Sequence, residues 1–136
     1  MRRTRRSVAA AAALLIAVAG VAAGCSPSAQ TVTISIHYSA FDPPQLTVPA
    51  GVPITFVLVN ADPIDHEWLL GDETFHDAHR TGTHASHDTV PTEVSVPALE
   101  SVETTITFEQ PGTLSYICHL PDHESYGMVG LLTVST

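Results

Sequence analysis

The strongest constraint on the fold is a two-residue alternation of apolar, often β-branched side chains, broken repeatedly by proline and glycine. Val32, Ile34 and Ile36 alternate in TVTISIHY, Leu46 and Val48 in QLTVPAG, and Ile54, Phe56 and Leu58 in VPITFVLVN. Pro43-Pro44, Pro49-Ala50-Gly51 and Asn60-Ala61-Asp62-Pro63 punctuate them. A second group holds Val94 and Val96, then Val102, Thr104, Ile106 and Phe108, a Pro111-Gly112 turn, Leu114 to Cys118, and Val129 to Val134. A period of two sends successive side chains to opposite faces of a strand, so each segment has one apolar face that another sheet must cover. Many short strands at regular spacing with such turns predict an all-β domain, a sandwich or a barrel.

One stretch breaks the pattern: GDETFHDAHRTGTHASHDTVPTE, residues 71–93, reads as a long inserted loop. It carries His76, His79, His84 and His87 as two His-x2-His pairs, with Asp72, Glu73, Asp77 and Asp88 around them. In a helical segment that spacing puts each pair on one face. Such a set could hold zinc or Cu(II), as a second site or as a loop that collects metal. The competing reading is a solvated polar loop whose histidines are incidental.

The N-terminus is an export signature. Arginines at 2, 3, 5 and 6 precede an apolar run from Val8 to Ala23 and then Gly24-Cys25, so residues 1–24 are excluded from the fold. Ala22-Ala23-Gly24-Cys25 resembles the bacterial lipobox, although the pattern prefers leucine where Ala22 stands. The resemblance implies that Cys25 is acylated and becomes the first mature residue, with an ordinary cleaved signal or a retained anchor as the alternatives. Thr4-Arg5-Arg6-Ser7-Val8 also looks like a weak twin-arginine motif. Residues 25–30 then form a polar tether and residues 31–136 a single domain, placed at the outer face of the cytoplasmic membrane.

Beyond residue 24 a single arginine, Arg80, faces all 14 acidic residues, a formal charge of −13 with histidines neutral. That surface repels nucleic acid and anionic headgroups and favours a basic protein partner or cations. Two cysteines in an exported chain of this size would ordinarily pair. With Cys25 committed to lipid, Cys118 has no partner, and a free thiol outside the cytoplasm must be buried and inert or bound to metal.

The segment YICHLPDHESYGM, residues 116–128, favours metal. It sets Cys118, His123 and Met128 in the spacing Cys-x4-His-x4-Met on a loop between two strands. Thiolate, imidazole and thioether suit a soft or borderline ion, copper in preference to magnesium or calcium. His66, which follows the turn after VPITFVLVN, is the candidate fourth ligand. His119 follows Cys118 directly, projects to the other side of the chain, and reads as a packing or surface histidine.

From about Thr31 to Thr136 the chain resembles the cupredoxins, the plastocyanin-like blue copper proteins. The resemblance rests on FDPPQLTVPAGVPITFVLVN, DHEW around His66, and PGTLSYICHLPDHESYGMVG. It implies a Greek-key β-sandwich of about eight strands, equatorial copper ligands His66, Cys118 and His123, and Met128 as axial ligand. Glu67 stands where many relatives have asparagine, and Leu99 and Asp122 stand where glycines are common.

These readings converge on one type 1 copper per chain in a monomeric one-electron carrier, with His123 as the route for electrons. The partner expected is a cytochrome or oxidase subunit with a basic docking face; neither enzyme activity nor a small-molecule substrate is expected. The alternative is a copper-binding or delivery protein that uses the histidine-rich loop as an accessory site.

Overall fold

The computed structural model describes residues 28–82 and 90–136. Within them the chain forms nine strands and one helix. One sheet has the order β2 (Ala40–Asp42), β1 (Gln30–His37), β4 (Pro53–Asn60), β7 (Ser101–Thr107). The other has the order β3 (Gln45–Pro49), β9 (Val129–Ser135), β8 (Gly112–Ile117), β5 (His66–Gly71), β6 (Glu93–Val96). β1 runs parallel to β4 and β3 parallel to β9, the remaining pairs being antiparallel. This is the expected Greek-key sandwich, with the three-residue β2 added to the eight strands foreseen.

The alternation explains the layering. Along β4 the side chains of Ile54, Phe56, Leu58 and Asn60 are buried, while their neighbours are only partly so. Ile54, Phe56 and Leu58 meet Trp68 and Leu70 of β5, Tyr116 of β8, and Leu132 and Val134 of β9 in one core. Phe56 and Trp68 lie 5.0 Å apart between ring centroids, and Tyr116 meets Phe41 edge-on at 5.2 Å. Burying one side chain of the size of Phe56 stabilises the fold by about 1.5–3 kcal/mol. β5 is buried along nearly its whole length, which explains why HEWLLG shows weak alternation.

The insertion departs from the expected loop, because its first part is a helix, α1 (Glu73–Arg80). Asp72 caps it, its carboxylate accepting from Phe75 N–H at 2.9 Å. Glu73 lies in the first turn and Arg80 in the last, each placed favourably for the helix dipole. A helical period of 3.6 carries no period-two signal, so the strand-based reading passed over it. His84, His87, Cys25 and the whole of residues 1–24 lie outside the described residues.

Candidate metal centre

Three loops meet at one end of the sandwich, and a single side chain ties two of them together. Asn60, buried at the end of β4, donates through Nδ2 to the carbonyls of Ile64, Val96 and Pro97, at 2.8, 3.1 and 3.0 Å. Its Oδ1 accepts from Asp62 N–H at 2.9 Å. These bonds close the turn from Asn60 to Asp65 and deliver His66 to the start of β5. Opposite it, β8 ends at Ile117 and β9 resumes at Val129. Cys118 N–H donates to Met128 O at 3.3 Å and Met128 N–H to His123 O at 3.1 Å, which folds the ligand loop back on itself.

The result brings His66, Cys118 and His123 together, their donor atoms all within 4.8 Å of one another. His66 Nδ1 lies 3.3 Å from His123 Nδ1, and Cys118 Sγ lies 3.2 Å from His123 Nδ1. Bonds of about 2.0–2.3 Å from N and S donors to one common ion require separations of this order. Met128, the fourth expected ligand, is fully buried in the same core cluster as Cys118. His66 is 1 % exposed, and His123 is half-buried on the outer loop. Among the described residues no other group of three histidine, cysteine or carboxylate donors converges in this way.

The surroundings prepare the donors. His66 Nε2 lies 3.0 Å from Asp62 Oδ2; the carboxylate can only accept, so Nε2 carries the hydrogen and Nδ1 presents its lone pair to the site. Burial disfavours the Asp62 carboxylate, but N–H donors from Ser39 and Tyr38, both at 2.8 Å, and the His66 contact outweigh it and hold the carboxyl below its ordinary value. Burial lowers the affinity of His66 for a second proton, which suits a ligand. Burial also pushes the Cys118 thiol up, with N–H groups of Glu67 and Leu120 pulling partly the other way. A coordinated cation reverses that preference by deprotonating the thiol outright. Soft sulfur, two imidazoles and burial together fit copper.

The sequence missed Asp62, which reads there as a turn residue; its signal was the position four before the first histidine. Glu67 acts on the sulfur in two ways: its backbone N–H donates to Cys118 Sγ at 3.4 Å, while its carboxylate charge works against the thiolate. Leu99 and Asp122 explain their glycine-like positions, with φ of 61° and 69° in the left-handed region.

His119, two residues beyond the end of β8, makes its contacts away from this centre. Its Nε2 lies 2.9 Å from His76 Nδ1 of α1. His79 stacks on its ring at 13° between planes and 5.6 Å between centroids. The first His-x2-His pair of the insertion thus packs on the back of the ligand loop, where α1 meets β8.

A family model described as cupredoxin-like domain matches residues 8–134. The chain is 35% identical over 97 residues to the copper-resistant cuproprotein CopI of Rubrivivax gelatinosus, covering 69% of this chain and 59% of that relative's length. It thus spans less than two thirds of that protein. Auracyanin B superposes with a TM-score of 0.66 at 27% identity, covering 79% of this chain and 89% of the other. Auracyanin A, a blue copper protein of Chloroflexus aurantiacus, gives 0.63 at 27% identity, with coverage of 79% and 99%. Since the family match runs through both halves of the site, from the strand that begins at His66 to the loop that ends at Met128, the chain belongs to the cupredoxin-like proteins, and its cofactor is copper, one ion per chain at this centre.

Proposed function

We propose that the protein is a one-electron carrier working outside the cytoplasmic membrane. The observation that supports this most is the buried set of His66, Cys118 and His123, backed by Met128 and held by bonds that leave the ligands little freedom. Copper, when bound, supplies a one-electron couple whose two states both tolerate two imidazoles, a thiolate and a weak thioether. The chain's own residues do the rest. Asp62 fixes the His66 ring, Glu67 N–H steadies the sulfur, and the core around Trp68 and Tyr116 keeps water away. Immobile donors minimise the rearrangement that accompanies each electron. Half-buried His123 is the ligand a redox partner can approach most closely.

Adding Cu(II) to the apoprotein is expected to give an intense visible thiolate charge-transfer band and a fast, reversible voltammetric couple. Cys118→Ser should abolish the band; a band that survives the substitution overturns the reading. The export signature supports a location beyond the membrane with Cys25 as lipid anchor. Labelled fatty acid should then be incorporated by the wild-type chain and not by Cys25→Ser, and an unlabelled wild type would sink the anchor.

A second reading, copper handling, is favoured by the relative whose name describes a copper-resistant cuproprotein. Rapid transfer of copper from the loaded protein to an acceptor apoprotein, faster than electron exchange, would favour it over the carrier.

A further inference from the structure

We propose a second metal site, for Cu(II) or a similar divalent transition ion, between His76 of α1 and His119 of the ligand loop. Ring nitrogens decide it. His76 Nε2 lies 3.1 Å from the carbonyl of Ser115, which can only accept, so Nε2 carries the hydrogen and Nδ1 a bare lone pair. His119 Nδ1 lies 3.3 Å from the Glu124 carboxylate, an ion-pair contact whose negative charge favours the hydrogen on Nδ1 and the lone pair on Nε2. The two bare nitrogens are the ones that face each other at 2.9 Å. Two lone pairs at that distance repel unless a proton or a metal ion lies between them, and the orienting carbonyl and carboxylate leave that place to a metal ion.

The arrangement repeats the logic of the copper centre described above. There His66 is tied by Nε2 to Asp62 and offers Nδ1 toward His123 Nδ1 at 3.3 Å. Here Glu124 and the Ser115 carbonyl play the orienting part that Asp62 plays for His66. Glu124 is itself held by Arg80, whose Nη2 donates to Oε1 at 2.7 Å. Stacked His79 keeps the His119 ring from turning.

Two nitrogens 2.9 Å apart, each about 2.0 Å from one ion, subtend an angle near 90°. That is the adjacent-ligand angle of a tetragonal Cu(II) site and narrower than tetrahedral zinc prefers. His119, though not the buried His76, lines an open cavity of about 270 Å³ with His79, Arg80, Asp122 and Glu124, which brings solvent to the His119 side of the pair. Because Cys118 and His119 are consecutive, the two metal sites share one peptide bond.

The test uses the full mature protein with its first site already loaded with copper. Calorimetric titration with further Cu(II) is expected to show a second equivalent, and electron paramagnetic resonance a tetragonal nitrogen/oxygen signal dipolar-coupled to the first. His76→Gln and His119→Gln should each weaken the second equivalent at least ten-fold and keep the visible band of the first site, whereas the His84→Ala/His87→Ala pair should leave both. Saturation at one copper, meaning that the two rings share a proton instead, overturns the proposal. So does a second equivalent that survives both glutamine variants or disappears with the alanine pair. If a glutamine variant loses the visible band as well, pulsed resonance on the wild type decides, two coordinated imidazoles supporting the site and fewer excluding it. The first site is scored by its visible band alone, so its failure and the failure of this second site are read separately.

Discussion

At the scale of the residue, Asp62 shows how one carboxylate joins fold and site. It accepts the N–H groups of Tyr38 and Ser39, two residues with φ of 53°, and also orients the His66 ring. Asp62→Asn keeps the shape and replaces one acceptor by a donor, so it should cost the turn about 1–2 kcal/mol. Loss of an orienting carboxylate behind a metal-bound histidine weakens metal binding by roughly 10–100-fold. Apoprotein melting and copper competition against a chelator are expected to show the first effect small and the second large. Unchanged copper affinity would remove Asp62 from the site. The sequence reading passed over both roles, because Asp62 is there one turn residue among several.

At the scale of the element, the neighbouring strands β8 and β9 are locked side by side by an aromatic ring and a missing side chain. Tyr116 is fully buried and donates its hydroxyl to Pro43 O at 2.6 Å, while burial pushes its ionisation up to about 12. It packs directly over Gly130, its partner across the ladder, where a Cβ would strike the ring. Gly130→Ala is therefore expected to destabilise the protein by about 1–3 kcal/mol through overpacking. Gly112→Ala, with open space around the added carbon, should change stability by less than about 0.5 kcal/mol. Urea unfolding of the two variants compares them, and equal effects would refute the packing account. The helix α1 follows a similar lesson. Its cap, Asp72, and its acidic and basic ends were all present in the sequence, yet eight residues are too few to show a clear period beside so many strands.

At the scale of the whole molecule, charge is the dominant long-range property. One arginine against fourteen acidic residues beyond residue 24 leaves a formal charge of −13. Should docking to a basic partner be electrostatically steered, the second-order rate with a basic cytochrome will fall as salt rises. The decline should be steepest as the Debye length shrinks from about 30 Å at 0.01 M to about 8 Å at 0.15 M. A rate flat across that range would reject a charge-guided encounter.

The sequence by itself determined an all-β domain, because strand burial has a period of two that survives in the order of residues, and the family resemblance narrowed it to a sandwich. It also determined Cys118, His123 and Met128 as neighbours, since one short loop between two strands forces them together, and it pointed to His66 through the strand end that carries it. What only the tertiary structure decided are the contacts made across loops: Asp62 behind His66, Glu67 N–H on the sulfur, and His76 against His119, residues 43 positions apart. The physical reason is that periodicity records which face of an element is buried, whereas the partner that a buried nitrogen meets depends on how separate elements dock.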